Sequence, residues 1–356
     1  MTKSKSIVVF LVLLFLVPCG GAQASPLGIA GEYNVFMFGH IFQWGTDVEG
    51  RVAAGGDVVY GLPGKNNGFA VASKVEDARG LPDLVAGGSL RLTNGSVGYF
   101  GKENSGGSDP VTGRKYQDGT IVYGQKASIA ETVGYGKAYQ GNPIDFKAEQ
   151  SYLQGISAFW GGLSSAGQIV TPWDGQVYLV GSDPALNVFN LDSSYLTKDL
   201  GFFLNVPKTS TILLNISDAD ADFAISLERI GFYMAKNFMA DGYIATDDVQ
   251  AMEKYLRGSD DAYPHANILF NFWDARSLFI NEIEINGSIL APWADILFAK
   301  ESHIDGNLIA NNLFGRGESH NILFNGKLPI QPVPEPATIM LLAGGLLGMA
   351  AWRRRS

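Results

Sequence analysis

Two stretches near the end of the chain repeat one pattern at an offset of 19 residues: Ile285-Asn286-Gly287-Ser288-Ile289-Leu290-Ala291 and Ile304-Asp305-Gly306-Asn307-Leu308-Ile309-Ala310. Kindred units occur earlier, as Val52-Ala53-Ala54-Gly55-Gly56-Asp57-Val58, Leu84-Val85-Ala86-Gly87-Gly88-Ser89-Leu90 and Gly119-Thr120-Ile121-Val122-Tyr123-Gly124. Each is an apolar run of strand length bounded by glycine and polar residues. One such unit has nothing to bury its apolar side against. A period near 20 residues therefore asks for strand stacked on strand, with glycines in the corners. The pattern predicts a β-solenoid. An antiparallel sandwich whose hairpins share Gly-x-(Ile or Leu)-x-Ala is the other arrangement these repeats allow.

Two segments break the β pattern. Residues 146–160 carry Phe146, Tyr152, Leu153, Ile156, Phe159 and Trp160 at helical spacing, with Asp145 as N-cap and Gly161-Gly162 as the stop. A helix laid against the solenoid would bury that stripe. Residues 247–256 predict a second helix through Val249, Met252 and Leu256.

The ends are topogenic. Lys3 and Lys5 precede an apolar run over 7–17 and then the small residues Gly20, Gly21, Ala22 and Ala24. This predicts a signal peptide over 1–24 with Ala22 and Ala24 forming the cleavage site. Cys19, the one cysteine, leaves with it, which excludes disulfides, thiol nucleophiles and thiolate metal sites from the exported chain. At the other end 338–352 is uncharged and precedes Arg353-Arg354-Arg355. It is shorter than the roughly 20 residues of a comfortable span, but it predicts a terminal transmembrane helix with the arginines held in the cytoplasm. The proline-rich stretch 327–332 reads as a linker.

Val333-Pro334-Glu335-Pro336-Ala337, the short apolar run and the arginine cluster together resemble the PEP-CTERM sorting signal of Gram-negative bacteria, over 333–356. That resemblance implies cleavage near Pro334-Glu335-Pro336 by an exosortase-type protease and delivery to the outer surface. A second resemblance spans about 29–325. Asn34-Val35-Phe36, Asp47-Val48-Glu49-Gly50-Arg51-Val52-Ala53-Ala54-Gly55-Gly56, Gly287-Ser288-Ile289-Leu290-Ala291-Pro292-Trp293-Ala294 and Gly306-Asn307-Leu308-Ile309-Ala310-Asn311 resemble the choice-of-anchor A family. It implies a β-helical ectodomain over 25–326, similar to ice-binding-like and adhesin domains, and brings no catalytic residues.

A formal charge of −9, more negative still once both ends are removed, excludes nucleic acid as a partner, since phosphate binding needs clustered Lys and Arg. No constellation for catalysis stands out. The histidines His40, His265, His303 and His320 form no His-Glu-x-x-His helix. His303 and Glu318-Ser319-His320 read as solvated loop residues within possible reach of Asp295 or Asp305. Gly162-Leu163-Ser164-Ser165-Ala166-Gly167 misses the spacing of a nucleophile elbow. Asp218-Ala219-Asp220-Ala221-Asp222 alternates carboxylates as a calcium loop does, but Phe223 and Arg229 stand where such a loop needs glycine and glutamate. Asp247-Asp248 and Asp260-Asp261 are candidate acid and base pairs, Trp173, Trp273 and Trp293 candidate sugar-stacking rings. No Thr-x-Thr ladder for ice is present.

The sequence therefore predicts a mainly β protein, a right-handed β-solenoid with an accompanying α-helix and a terminal transmembrane helix. It would be exported, held transiently in the inner membrane, and then sit at the cell surface or outside the cell. Its expected role is structural or adhesive, alongside extracellular polysaccharide or other cell-surface components, without enzymatic activity, cofactor or metal. A β-helical glycan lyase or hydrolase and an ice-binding protein are the alternatives.

Overall fold

A computed structural model describes residues 25–64, 67–75, 80–98, 119–171, 176–196, 201–207, 209–218, 224–228, 231–234 and 265–330. Predictions falling on the signal peptide, the 247–256 helix and the sorting signal lie outside these residues. So do those on Trp173, Asp247, Asp248, Asp260, Asp261 and the loop following Asp218.

The early repeats form three-sided rungs. The first rung runs Val35–Met37, Ile41–Gln43 and Thr46–Val48, one short strand per side. The second is Val52–Ala54, Val58–Tyr60 and Phe69–Val71, and the third Leu84–Ala86, Leu90–Leu92 and Gly95–Val97. A fourth follows with Thr120–Tyr123, Ala127–Ile129 and Val133–Gly134. Each side pairs in parallel with its neighbours, so Val35, Val52, Leu84 and Ile121 stand in one column. The repeats thus stack as the period predicts, and the parallel ladders exclude the antiparallel sandwich.

The Gly-Gly doublets sit at the corner between the first and second sides. Gly55, Gly87 and Gly124 stack there; a Cβ on Gly87 would lie 2.4 Å from the carbonyl oxygen of Gly55, and one on Gly124 2.0 Å from that of Gly87. Successive backbones approach so closely that only glycine fits.

The rungs are not stacked in the order of the sequence. From the first rung the chain builds outward to Lys137–Gln140, then returns through helix α1 (Phe146–Gly161). It resumes at the opposite end with Leu186–Asp192 and Thr211–Ser217 and works back through Ile268–Phe272 and Ser288–Phe298 to the last strands, Leu308–Gly315 and Glu318–His320. Those last strands pair with the first rung, Val35 opposite Leu308 and Ile41 opposite Leu313. First and last rungs meet at a seam inside the stack.

Two asparagines, both fully buried, clamp the seam. Asn34 Nδ2 donates to the carbonyls of Gly306 at 2.6 Å and His320 at 2.9 Å. Asn307 Nδ2 donates to Tyr33 O at 2.6 Å, and its Oδ1 accepts from the Phe324 amide at 2.6 Å.

Two cores result. Inward side chains such as Val35, Val52, Ile289 and Leu308 fill the coil. Outward residues of the first side, including Phe36, Ala53, Val85, Leu213 and Ile309, are buried as well, because α1 lays Leu153, Ile156 and Trp160 over that side. This explains why first-side strands are buried on both faces while second-side strands alternate. Asp145 caps α1 by accepting from Ala148 N at 3.0 Å, as the sequence predicts. Polar residues also fix the helix: Asn190, Asn215 and Asn271 form a ladder across three strands, and Asn271 reaches Ser157 O at 2.9 Å.

The described part of the stretch read as a linker packs on this body. Leu328 is buried, and Trp160 Nε1 donates to Pro329 O at 2.8 Å. Among the described residues no helix is long and apolar enough to cross a membrane, and 338–352 lies outside them.

Candidate functional site

The second side of the coil carries the open surface. Its inward residues, such as Ile41, Val58, Leu90 and Leu313, are core; the residue between each pair of them faces out. Register places Phe279, Leu297, Phe314, Phe42 and Val59 side by side on consecutive strands, followed by Arg91 and Ser128. At the usual spacing between strands the five apolar residues make a row about 19 Å long. Phe314 is 48% and Leu297 44% exposed. Phe42 and Phe314, which meet across the seam, stack at 5.3 Å with an interplanar angle of 15°, and Trp44 closes on Phe314 edge-on at 5.3 Å.

A polar row runs beside it. Asn311 and Asn312 both donate to Asp295 Oδ1, at 2.8 and 2.7 Å, Asn312 Oδ1 accepts from His40 N, and His40 Nδ1 accepts from Asp57 N at 2.9 Å. Amides and carboxylates are thereby fixed along the edge of an aromatic strip.

The third side holds a different cluster. His303–Asp305 and Glu318–His320 are adjacent parallel strands, His303 opposite Glu318 and Asp305 opposite His320. Ile304 and Ser319 point inward, so the four polar residues share the outer surface. Asp305 accepts from His265 Nδ1 at 2.9 Å and lies 2.5 Å from His320 Nδ1. His303 Nε2 is 3.5 Å from Glu284, and the rings of His303 and His320 lie 5.0 Å apart. Burial alone would raise the Asp305 carboxyl, but the bonds and charge of the two histidines hold it well below the usual carboxylate range. The bond to Asp305 raises His320 against the opposing effect of burial, aided by the charges of Asp305, Glu49 and Glu318.

A profile of the ice-binding-like adhesive domain matches residues 26–321. The chain belongs to that family. A second profile, the PEP-CTERM protein-sorting motif, matches 332–355, directly after this adhesive domain, and the pair marks an exported surface protein. A search of curated proteins found no match. Among solved structures, an ice-binding protein from the Antarctic ascomycete Antarctomyces psychrotrophicus is 12% identical with a TM-score of 0.30, over 85% of this chain and 98% of that one. A glycosylated ice-binding protein from an Arctic yeast is 11% identical at 0.32, covering 88% and 98%. An ice-binding protein domain of Shewanella frigidimarina is 11% identical at 0.30, covering 86% and 98%.

In this adhesive domain several residues singled out from sequence stand elsewhere than expected. His303 and His320 are on strands, not in solvated loops, because alternation turns Ile304 and Ser319 into the core. Of the two candidate acids, Asp305 meets histidine while Asp295 belongs to the second side. Trp273 is half-buried with its ring against Gly161, and Trp293 is half-buried with the Arg276 guanidinium 5.7 Å above it. Among the described residues the exposed aromatic rings are those of Phe314, Tyr135 and Tyr139; Phe314, with the half-buried Phe42 and Trp44 packed against it, was not singled out from sequence. Ile41-Phe42-Gln43 and Leu313-Phe314-Gly315 show no apolar-polar alternation that marks the phenylalanine as outward, so no local signal singles them out. Ala22, Ala24, Val333, Pro334, Glu335, Pro336, Arg353, Arg354 and Arg355 lie outside the described residues.

Proposed function

We propose that this chain is a non-catalytic surface adhesin that grips extracellular polysaccharide through the open row from Phe279 to Val59. What carries the reading is that row: aromatic and apolar side chains in line, with fixed amides and carboxylates beside them, and no element over them among the described residues. Ring faces suit the C–H faces of sugars, and the flanking polar row suits their hydroxyls.

The finer scheme belongs to the same proposal. A signal peptide over 1–24 is removed after Ala24; 25–326 forms a choice-of-anchor A ectodomain, a right-handed coil as parallel crossovers ordinarily are. The stretch 327–332 connects it to a sorting signal over 333–356. Residues 338–352 hold the chain briefly in the inner membrane until an exosortase-type protease cuts near Pro334-Glu335-Pro336.

The test takes the exported chain, incubates it with a panel of bacterial exopolysaccharides, and measures both retention and soluble product. Retention without product is expected, weakened at least tenfold by the double substitution Phe42→Ser/Phe314→Ser. Product release would replace adhesion with catalysis. Thermal hysteresis without retention would replace it with ice binding, the activity named for the Antarctic and Arctic proteins. Cell fractionation with and without residues 333–356 tests the sorting step: a full-length chain that stays in the inner membrane overturns it.

A further inference from the structure

Three of the four histidines of the chain converge on the third side, away from the aromatic row, and the adhesion proposal makes no use of them. We infer that His303, Asp305 and His320 form a binding site for one divalent transition-metal ion of the zinc class. One ligand atom from each of the three lies within 4.8 Å of those of the other two. Zinc bonds of about 2.0–2.2 Å to nitrogen and oxygen place tetrahedral neighbours roughly 3.3–3.5 Å apart. Closing the remaining gap takes a side-chain rotation that the His303 ring, one third exposed, is free to make.

The chemistry follows from the hydrogen bonds already present. Asp305 Oδ1 and His320 Nδ1 stand 2.5 Å apart, a hydrogen bond in which the carboxylate accepts the imidazole proton. The ion takes that proton's place, the proton is released to solvent, and His303 supplies the third donor. Asp305 keeps its other oxygen, Oδ2, on His265 Nδ1, an outer partner of the kind that orients a ligating carboxylate. Glu318 Oε1 lies 3.6 Å from His320 Nε2, the ring nitrogen turned away from Asp305, where it can accept the proton that Nε2 carries once Nδ1 is a ligand, and the partly exposed His303 and His320 leave a position for water. A second grouping, Glu49 with Glu318 and His320, is less suited, because Glu49 already pairs with Lys74 and accepts from the Asn321 amide at 3.2 Å.

Two imidazoles and a carboxylate select the ion. Calcium and magnesium take oxygen ligands, whereas imidazole suits zinc, copper, nickel and iron. The strand register provides the rest: parallel pairing holds Asp305 opposite His320 whether or not an ion is bound, so two of the three donors are preassembled by the ladder and His303 swings in to complete them.

The experiment uses the full chain without a histidine tag, stripped with EDTA and titrated with Zn2+ by calorimetry, with Co2+ absorption reporting nitrogen and oxygen ligation. One ion per chain is expected. His265→Ala should weaken Zn2+ binding roughly 10–100-fold through the loosened carboxylate, and His303→Ala and His320→Ala by more than that. His40→Ala, on another side of the coil, should leave binding unchanged. Absence of saturable Zn2+ binding overturns the proposal, as does unchanged affinity in His303→Ala with its circular dichroism intact, or tighter binding of Ca2+ than of Zn2+. If His320→Ala fails to fold, His303→Ala decides alone, since among the described residues the one ion-pair contact of that ring is its long approach to Glu284.

Discussion

Replacing Asn307 with alanine removes a clamp of the seam without touching any backbone ladder bond. The amide group donates to the Tyr33 carbonyl and accepts from the Phe324 amide, both at 2.6 Å, and those two residues are 1% and 6% exposed. The substitution removes the partner of that buried acceptor and of that buried donor, together with longer bonds at 3.3 Å to Gly31 O and from Ser288 Oγ; the two short bonds decide the cost. Each costs about 1–3 kcal/mol, so the expected loss is about 2–6 kcal/mol, with the lower end applying where a water enters the vacated space. Against a total stability of order 5–15 kcal/mol this is a large fraction. Urea unfolding of parent and variant, followed by far-ultraviolet circular dichroism, measures it. Asn311→Ala serves as the reference, since its bond to Asp295 is exposed, and should change stability by no more than about 0.5 kcal/mol. If Asn307→Ala loses less than about 1 kcal/mol, the seam is held by its strand pairing and the clamp is incidental.

Other changes test other parts of the frame. Gly155→Ala, in an exposed turn of α1 where an added Cβ meets nothing within 4 Å, should stabilise by about 0.5–1 kcal/mol, while Gly87→Ala at the crowded corner should destabilise by about 1–3 kcal/mol; thermal melts of both settle the sign. Trp160→Ala should cost about 3–5 kcal/mol in urea unfolding, because it empties a fully buried ring site and orphans Pro329 O. Burial raises the carboxyl of Glu149 although the Ala30 and Ile29 amides oppose the shift, so its contribution to stability is complete below its unfolded pKa and is lost as pH rises through the folded value. Glu149→Gln keeps the acceptor and removes that loss. Its stability relative to the parent should improve between about pH 4 and pH 7, and a relative decline over that range would refute the assignment.

The local rung was legible in the sequence. Glycine doublets after short apolar runs announce corners, and the offset of Ile285 from Ile304 is one turn of the coil, as their pairing partners show. Helix α1 was equally plain, since its stripe and its Asp145 cap are both local signals. The order of stacking was not. Nothing near Val35 specifies that its outer neighbour is Leu308; that choice rests on Asn34 and Asn307, whose contacts span more than 270 residues. The histidine cluster was hidden for a related reason. Three-residue strands such as His303–Asp305 give one alternation each, too little to distinguish a strand from a loop, and His265 reaches Asp305 from 40 residues away. The aromatic row was hidden because its members come from five separate strands and become neighbours only through register.

The seam sets a timetable for a chain that threads a translocation channel from its N-terminus. The first four rungs can coil as soon as they emerge, but the outer edge of the first one stays an unpaired parallel strand until residues 308–320 arrive. Until then it is a template that any other strand could take. An exported population would have to protect that edge, or risk one molecule's final rung docking on another's first. The same rung that completes a monomer can therefore link two of them, and a crowded exported population in which residues 308–320 close slowly should yield intertwined oligomers beside the monomer.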